Sequence, residues 1–299
     1  MPIDSPPIVA IQRNRGSGTG WRRGLLRELV RGLKLRGLVP RLFTRRERLA
    51  RWMESERHRK ELRCLVAAGG DGTLGDLLNR FPGVPIALLP LGTENLAARY
   101  FCVPPNGDAV AEMIARGRSC RVDVGLAGAR RFLAMASAGF DADVVHRTHL
   151  ARSGNISHVN YVQRIWESLR RYEHAPMQIW LDGRPYPLTG RLVVVANLPV
   201  YALGLPVAAA ASGDDGQFDV TVFEQGSAWQ MLRYFCNVAA RRLPHLSDVR
   251  SCRARHVRIE SSAAVPLQVD GDPAGSTPVE LSILPGEVEL LVADHLRGV

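Results

Sequence analysis

The sequence has 299 residues, 46% of them hydrophobic and 23% charged, which is typical of a folded chain with room for one large or two ordinary domains. Its 39 Lys and Arg residues against 29 Asp and Glu residues give a formal net charge of +10, so we expect an anionic partner: nucleic acid, an acidic membrane surface or a phosphorylated substrate. The five scattered cysteines disfavour a disulfide framework and a zinc site. The lack of a long apolar run disfavours a membrane span, and we expect no secretory leader. Together these features predict a cytoplasmic protein.

Strands and helices alternate in the first part of the chain. Four short apolar runs predict strands: Ile8–Ile11, Leu38–Thr44, Leu65–Ala68 and Ile86–Leu89. Apolar residues recur with helical spacing in two arginine-rich segments, Trp21–Arg36 and Arg45–Leu62. This alternation predicts an α/β domain over residues 1–125, with a parallel sheet covered by helices on both faces.

After about Val122 the pattern changes to short β-like segments separated by Asp-Gly and Pro-Gly turns. The predicted strands are Arg131–Ser137, Met177–Leu181, Arg191–Asn197, Phe218–Phe223, Val257–Glu260, Leu267–Asp270, Val279–Leu284 and Val288–Val292. We therefore predict a second, antiparallel β-sandwich domain over residues 126–299, and leave open whether its C-terminal end returns to the first domain.

Two helices interrupt the predicted sandwich, over Asp141–Tyr172 and Ala228–Leu243. The second has an apolar stripe, which we expect to pack in the core rather than to form a lipid pocket. The stripe consists of Trp229, Leu232, Phe235, Cys236 and Ala239.

Positive charge is concentrated near the N-terminus. Residues 21–63 contain 15 Arg or Lys and 5 Glu, an excess of ten that equals the net charge of the whole chain. The segment consists either of the solvated faces of two helices or of a surface for anionic lipid headgroups. Nucleic-acid binding is not predicted, because the segment lacks interleaved aromatic residues and has no helix-turn-helix or zinc-finger spacing. An anionic membrane surface, contacted peripherally through residues 21–63, is the expected partner.

The string Gly69-Gly70-Asp71-Gly72-Thr73 follows an apolar strand and opens a helix. Glycines allow the backbone to approach a ligand, and amides at a helix N-terminus favour a phosphate. Asp71 offers a carboxylate for Mg²⁺ or proton transfer, and Thr73 offers a hydroxyl. The alternative is an ordinary glycine-rich turn.

A similar arrangement follows the next strand, where Gly92, Thr93 and Asn95 lie in a second glycine turn. Two such turns on neighbouring strands would line one edge of the sheet, where open α/β folds bind ligands. The segment Asn14–Gly20 is a third phosphate-friendly stretch, although it matches neither a P-loop nor a Gly-x-Gly-x-x-Gly fingerprint.

Two acidic turns lie in the second part of the chain: Asp270-Gly271-Asp272 and the segment 213–219, which reads Gly-Asp-Asp-Gly-Gln-Phe-Asp. Asp-Gly is a common choice for a hairpin turn, so each string also has a purely structural interpretation. Carboxylates and backbone carbonyls on a tight turn are, however, ligands that Mg²⁺ prefers.

The order of these motifs resembles the diacylglycerol kinase catalytic-domain family, and most closely its soluble bacterial lipid kinases, which are related to sphingosine and ceramide kinases. The resemblance extends over roughly Ile8 to Val292. Gly-Gly-Asp-Gly-Thr alone is shared with NAD kinases, but the segment after the second glycine turn reads Asn95-Leu-Ala-Ala-Arg99, unlike theirs.

The resemblance implies an N-terminal nucleotide-binding α/β domain of the NAD kinase and diacylglycerol kinase type, a C-terminal β-sandwich, ATP bound with Mg²⁺ in a cleft, and a lipid hydroxyl as acceptor. The acceptor would be a diacylglycerol-like or sphingoid-type alcohol. The implied ATP-binding residues are Asn14, Ser17, Gly18, Thr44, Gly69, Gly70, Asp71, Gly72, Thr73, Leu74, Gly92, Thr93 and Asn95.

The resemblance also implies a catalytic base among Asp272, Asp270 and Asp71, and leaves the choice open. It places a structural Mg²⁺ on Asp215 with backbone oxygens of Ser212 and Gln217, and Asp123 in an acidic network near Asp71.

Several positions depart from the family pattern. Leu96 replaces an aspartate, Asp272 replaces a glutamate, Leu203-Gly204-Leu205 stands where three glycines are usual, and Arg15 stands where proline is common. Two alternatives therefore stay open: a weakened nucleotide-binding regulatory protein, and a kinase of a soluble acceptor such as NAD. The sequence also leaves a homodimer open.

Overall fold

A computed structural model describes residues 6–14, 22–150, 175–199 and 205–293. It divides the chain into two compact units, Met1–Val122 together with Gly286–Val299, and Asp123–Pro285. The first unit contains a parallel sheet and the second contains antiparallel sheets, which confirms the predicted fold class.

The parallel sheet of the first unit has the strand order β2-β1-β3-β4. Its strands are β1 (Ile8–Arg13), β2 (Val39–Phe43), β3 (Leu62–Gly69) and β4 (Ile86–Pro90). From Cys64 to Gly69 every residue of β3 is buried, because helices cover both faces of a parallel sheet. The C-terminal part of the last strand also runs parallel to β4, with Leu290 opposite Ile86.

In its described part this unit has six helices: α1 (Arg22–Leu35), α2 (Arg46–Met53), α3 (Glu56–Glu61), α4 (Asp71–Arg80), α5 (Leu96–Tyr100) and α6 (Gly107–Arg116). Leu25, Leu29 and Leu33 of α1 are buried, as the helical spacing predicts. Helix α1 packs closely on α6, since a Cβ on Gly107 would lie 2.1 Å from the carbonyl oxygen of Leu25.

The single helix predicted over Arg45–Leu62 is wrong. The helix breaks after Met53, because Ser55 has extended backbone angles (φ −73°, ψ 120°) and starts the separate helix α3. Leu62 then leaves the helical conformation and enters strand β3.

The second unit contains two antiparallel sets of strands. One is a six-stranded sheet in the order β12-β11-β10-β7-β14-β15, and in the other β16, β13, β8 and β9 pair in that order, with β5 pairing with β16 and β6. The strands are β5 (Ser119–Ala127), β6 (Arg130–Phe132), β7 (Met135–Gly139), β8 (Met177–Leu181), β9 (Leu188–Gly190), β10 (Leu192–Ala196), β11 (Phe218–Phe223), β12 (Val249–Ala254), β13 (His256–Ser261), β14 (Pro266–Val269), β15 (Asp272–Ser276) and β16 (Val279–Leu291).

Apolar residues of both sets form one core cluster, in which the rings of Phe132 and Phe218 stack with centroids 5.7 Å apart. The strand predicted over Arg131–Ser137 is divided, because β6 pairs with β5 whereas β7 pairs with β10 and β14. The two strands predicted on either side of Pro285-Gly286 are one, since Gly286 (φ 58°) continues β16 without a chain reversal.

Among the described residues, the second unit contains two helices, α7 (Phe140–Leu150) and α8 (Ala228–Ala239). Residues 151–172 of the predicted longer helix lie outside the described residues. Helix α8 ends before Leu243, where Arg241 adopts a left-handed conformation (φ 56°) and a short 3₁₀ turn follows.

The expectation that the apolar stripe of α8 packs in the core is also wrong. Trp229 is 73% exposed, Leu232 42% and Phe235 44%, because the opposite side of the helix, with Met231 and Tyr234, is the buried one. Within the described ranges, no helix combines the length and the apolar character needed to cross a membrane.

Candidate functional site

The carboxyl ends of the four parallel strands carry most of the residues predicted to bind nucleotide. Gln12 is paired with Phe43, Arg13 with Ala68, and Gly69 with Pro90, so the loops that follow β1 to β4 start at neighbouring positions on one edge of the sheet. This is the edge at which open α/β sheets bind their ligands. Asn14 lies on it, and its backbone N–H donates to the carbonyl oxygen of Ala68 at 3.2 Å.

The two glycine loops touch each other through their backbones. A Cβ on Gly92 would lie 2.4 Å from Cα of Gly70, a distance that no real Cβ contact shows. The carbonyl oxygen of Gly69 accepts hydrogen bonds from the N–H groups of Leu91 and Gly92, at 2.9 and 3.2 Å. Gly92 is therefore required, because a side chain there would separate the loops, and a Cβ on Gly70 would also be tight, at 3.1 Å from Cα of Gly92.

Asp71 fastens the first loop to the helix that follows the second. Its Oδ2 accepts from the N–H of Leu96 at 3.0 Å, and its Oδ1 accepts from the N–H of Ala97 at 3.1 Å. The carboxylate thus satisfies the first amides of α5, which would otherwise lack acceptors.

Asn95 closes the second loop. Its Oδ1 accepts from the N–H of Gly92 at 2.9 Å, and its Nδ2 donates to the carbonyl oxygen of the same residue at 2.8 Å. Asn95 has a left-handed backbone (φ 49°), a conformation that asparagine tolerates better than most residues. Its side chain therefore sets the shape of the loop.

Thr73 brings a buried hydroxyl to this edge. The residue is 6% exposed, and its Oγ1 has no hydrogen-bond partner among the described residues. A Cβ on Gly69 would lie 2.0 Å from this Oγ1, so the glycine makes room for the threonine. A buried hydroxyl without a partner is costly, and a phosphate oxygen bound at the start of α4 would satisfy it.

The remaining predicted nucleotide contacts are distributed over the same loops. Thr44 directly follows β2 and is exposed, as are Gly72 and Thr93, whereas Leu74 is buried in α4. Ser17 and Gly18 lie outside the described residues.

In the second unit, Asp270 and Gly271 form the turn between β14 and β15, with φ angles of 48° and 80° and with Val269 opposite Asp272. The Asp270 carboxylate accepts three backbone hydrogen bonds, from Leu133 at 2.7 Å, Ala134 at 2.8 Å and Met135 at 3.0 Å. The string is therefore a hairpin turn, whose aspartate holds the point where the chain passes from β6 to β7.

Asp272 is placed differently from Asp270. Its side chain is 37% exposed, and its Oδ2 lies 3.2 Å from Nη2 of Arg130. The same guanidinium donates through Nη1 to the carbonyl oxygen of Pro273 at 2.9 Å. Arg130 thus orients the carboxylate and leaves it accessible to solvent.

The segment predicted to hold a structural Mg²⁺ is a turn bound by protein groups. Asp123 is buried, and its Oδ2 accepts from the N–H of Gly216 at 2.7 Å. Asp215 accepts from the N–H of Gln217 at 3.0 Å through Oδ1, and its Oδ2 lies 3.3 Å from Nη1 of Arg253. The hydroxyl of Ser212 donates to Asp214 at 2.6 Å.

A guanidinium therefore already balances the charge of Asp215. Over the described residues, no three His, Cys, Asp or Glu side chains are grouped so that they could hold a metal ion. Because Mg²⁺ prefers several oxygen ligands, this donor set does not fit a resident ion as it stands. The Mg²⁺ site at Asp215 stays a prediction.

Comparison with known families covers nearly the whole chain. Residues 9–127 match the family model described as the diacylglycerol kinase catalytic domain, and residues 134–292 match the YegS C-terminal NAD kinase beta sandwich-like domain. The chain belongs to the diacylglycerol kinase catalytic-domain family. This confirms the resemblance found in the sequence and makes the chain a member of a family of lipid kinases.

Individual relatives agree with this assignment. The chain is 28% identical over 241 residues to a diacylglycerol kinase of Mycobacterium tuberculosis, covering 78% of this chain and 77% of the relative. It is 25% identical over 300 residues to a diacylglycerol kinase of Staphylococcus carnosus, covering 95% of each. The crystal structure of a diacylglycerol kinase from Bacillus anthracis matches 98% of this chain and 99% of its own with a TM-score of 0.70 and 18% identity, a likeness of fold alone.

Sequence reasoning missed two buried polar residues, Gln12 and Gln268. Gln12 is 4% exposed near the end of β1, and its Oε1 is buried with no hydrogen-bond partner in the described part of the chain. The signal was a glutamine that directly follows four apolar residues of the strand.

Behind the Asp270 turn, the Gln268 amide donates to Ser137 Oγ at 2.8 Å and to Asp141 Oδ2 at 3.0 Å, and its Oε1 accepts from the N–H of Gly271 at 2.9 Å. Gln268 was overlooked because it lies among apolar strand residues. The network supports the turn through the backbone N–H of Gly271.

Proposed function

We propose that the chain transfers the γ-phosphate of ATP to the hydroxyl of a lipid alcohol of diacylglycerol-like or sphingoid type. Membership of a lipid kinase family supports the class of acceptor. The observation that carries the proposal is the pair of glycine loops in backbone contact, beside the buried and unpartnered hydroxyl of Thr73. Such a hydroxyl at the start of a helix suits a phosphate group better than an apolar or cationic ligand.

In this proposal the first unit binds the nucleotide. The loops that begin at Gly69 and Gly92 receive the phosphates, Thr73 donates its hydroxyl to a phosphate oxygen, and Asn14, Thr44 and Thr93 contact the rest of the nucleotide. Magnesium bound with ATP would neutralise phosphate charge as the phosphoryl group transfers. The protein contributes mainly by holding the nucleotide in a fixed orientation.

We assign the role of proton acceptor to Asp272 among the three candidate aspartates. Asp71 and Asp270 use their carboxylates to hold backbone amides of other segments. Asp272 is 37% exposed, and its hydrogen-bond geometry is set by a single guanidinium. As the lipid oxygen forms its bond to phosphorus and the bond to the ADP oxygen breaks, Asp272 would take the hydroxyl proton.

The direct test is ADP release from ATP and Mg²⁺ with lipid alcohols in mixed micelles, and with NAD as the soluble control. We expect release with at least one lipid alcohol and none with NAD. Release with NAD alone would contradict the proposal and favour a soluble acceptor. ATP binding without release for any acceptor would also contradict it and favour a regulatory nucleotide-binding protein.

The nucleotide site is tested separately by Thr73→Val, which removes the hydroxyl and keeps the shape. We expect ATP affinity to fall by about tenfold to a hundredfold, the loss of one hydrogen bond to a charged group, with no loss of folding stability. The matched control is Thr221→Val, a buried threonine of β11 in the second unit, which should leave the affinity unchanged. Equal affinities of the Thr73→Val variant and the wild type would show that no phosphate oxygen binds the Thr73 hydroxyl.

A further inference from the structure

Helix α8 has two apolar sides, and only one is packed against the protein. Met231, Tyr234 and Val238 are buried, whereas Trp229 is 73% exposed and Phe235 44%. Leu232 is 42% exposed between them, and Cys236 and Ala239 continue the same exposed stripe. An exposed stripe of large apolar residues on one helix is uncommon on a chain that contacts only water.

The exposed stripe is held in a fixed position. At the N-terminus of α8, Ser227 and Gln230 form a capping box. On the buried side, the Tyr234 hydroxyl donates to Asp248 Oδ2 at 2.6 Å and accepts from the N–H of Gln225 at 3.3 Å. Arg233 also donates to Asp248. The helix is therefore anchored from behind, which makes the exposure of Trp229 a property of the fold.

The charges around α8 are unbalanced toward positive. The helix itself contains no acidic residue, and two nearby acids are paired, Asp248 with Arg233 and Glu224 with Arg250. Arg241 and Arg242, just beyond the end of the helix, are exposed and have no acidic partner among the residues that the structure describes. Arg241 and Arg242 thus add positive charge just beyond the end of the helix that carries the exposed apolar stripe.

We propose that this surface docks on an anionic lipid bilayer, with Trp229, Leu232 and Phe235 in the interfacial region and Arg241 and Arg242 on the headgroups. A helix with aromatic and aliphatic residues on one side and arginines beside it is suited to lie in the plane of such an interface. Tryptophan is favoured there because its ring is apolar and its N–H remains close to water. The inference concerns binding alone and holds whether or not phosphate transfer takes place.

A second copy of the chain fits this surface less well. With about 150–250 Å² for a whole aromatic side chain, the exposed parts of the three large residues amount to roughly 300 Å². A stable dimer needs about 600–1,000 Å² from each partner. Two copies of the same surface would also bring Arg241 and Arg242 toward their own counterparts, whereas anionic headgroups neutralise them.

The test uses the full chain with phosphatidylcholine vesicles, with and without phosphatidylglycerol, in a sedimentation assay. We expect binding to the anionic vesicles. The double variant W229A/F235A should lose at least about tenfold in affinity, because the apolar contact is removed. The double variant R241Q/R242Q should lose about fivefold for each charge on anionic vesicles only.

Matched controls distinguish this surface from exposed residues in general. Tyr186 is 83% exposed in the loop between β8 and β9, so Tyr186→Ala removes an equally accessible aromatic ring. R184Q/R255Q removes two exposed arginines elsewhere on the second unit. Neither control should change vesicle binding, and an equal loss in either would overturn the proposal.

A spectroscopic measurement does not depend on affinity. Brominated lipids should quench part of the tryptophan fluorescence of the wild type, and Trp229→Phe should abolish that component while binding is retained. Absence of vesicle binding by the wild type, unchanged binding of W229A/F235A, or a dimer that dissociates in W229A/F235A without any vesicle binding would each overturn the proposal. Because none of these readouts uses ATP, their failure is distinct from failure of the proposed kinase activity.

Discussion

Asp71 in the first unit and Asp270 in the second each stand beside a glycine and use a carboxylate to hold backbone amides far away in the sequence. Asp71 begins helix α4 and accepts from Leu96 and Ala97. Asp270 has a left-handed backbone in a hairpin turn and accepts from three successive residues that begin at Leu133. A carboxylate at the start of a helix and a carboxylate in a left-handed turn thus have the same role, because each holds its own segment against a distant one.

The difference between the two regions lies in what the anchored turn presents. In the first unit, the anchored loop places the buried hydroxyl of Thr73 at the edge of the sheet, where no described residue satisfies it. In the second unit, the anchored hairpin places the half-exposed carboxylate of Asp272 beside Arg130. In both motifs the aspartate next to the glycine holds backbone amides, and in our proposal the residue two positions further along the chain takes part in the chemistry.

The largest expected effect follows from Asp272→Asn. If Asp272 is the proton acceptor, transfer should fall by about 100-fold to 10,000-fold, because the amide cannot take up the proton. The melting temperature should change little, since a half-exposed ion pair with Arg130 contributes at most about 1 kcal/mol. Steady-state ADP release and thermal unfolding measure the two effects.

Asp272→Glu is the conservative control and should retain transfer, because the carboxylate is kept and gains one methylene of reach. An Asp272→Asn variant that transfers phosphate at the wild-type rate would show that Asp272 is not the proton acceptor.

The second prediction concerns stability. Asp270→Asn replaces an acceptor of three backbone hydrogen bonds by an amide with one acceptor oxygen, so donors at the β6–β7 passage lose their partner. We expect the free energy of unfolding to fall by about 2–4 kcal/mol, since each unsatisfied buried donor costs about 1–3 kcal/mol. Urea unfolding measures it, with Asp272→Asn as the same chemical change two residues away.

Asp71→Asn should lower stability by less than Asp270→Asn, because Asp71 accepts two backbone hydrogen bonds and not three. A larger loss of stability in Asp71→Asn than in Asp270→Asn would show that the number of amide donors does not determine how much each aspartate stabilises the fold.

The third prediction tests the contact between the glycine loops. Gly92→Ala would place Cβ 2.4 Å from Cα of Gly70, so the loops must separate. We expect a loss of about 1–3 kcal/mol in the free energy of unfolding, together with weaker ATP binding.

The matched control is Gly75→Ala in α4, where an added Cβ would meet no atom within 4 Å. This substitution should stabilise the helix by about 0.5–1 kcal/mol. Equal behaviour of the two variants in urea unfolding and calorimetric ATP titration would argue against a role for the loop contact.

Part of this organisation could be predicted from the sequence. Glycine strings after apolar strands indicated the loops at Gly69 and Gly92, because the residues that carry this signal are adjacent in the chain. The anchoring bonds could not be found in this way, since Asp71 reaches 25 residues to Leu96 and Asp270 reaches 135 residues to Met135. Nothing in the local pattern shows which distant amides a carboxylate will meet.

Helix α8 shows a second limit of sequence reasoning. Helical periodicity correctly grouped Trp229, Leu232 and Phe235 on one side. Met231, Tyr234 and Val238 form an equally apolar opposite side, so periodicity alone could not tell which side the β-sandwich would cover. The buried side is determined by tertiary packing, which includes the hydrogen bond from the Tyr234 hydroxyl to Asp248.

The smallest expected effect concerns Asp248, an aspartate that is held by the side chains of Arg233 and Tyr234. Burial by itself raises the pKa of this carboxyl, but the hydrogen bond from Tyr234 and the guanidinium of Arg233 outweigh it, so that the pKa lies below its ordinary value of 3.8. Burial and the bond to Asp248 raise the pKa of Tyr234 to about 12. We expect Tyr234→Phe to cost about 1 kcal/mol at neutral pH.

The pH dependence gives this prediction its sign. A carboxyl with a lowered pKa in the folded state contributes stability above its ordinary pKa, and this contribution is lost as the pH falls through the folded-state value. The difference in melting temperature between the wild type and Tyr234→Phe should therefore be full at neutral pH and shrink below about pH 4. A difference that stays constant down to pH 2 would mean that Tyr234 stabilises α8 by packing alone, and that only the aspartates bound to backbone amides of distant segments act as anchors.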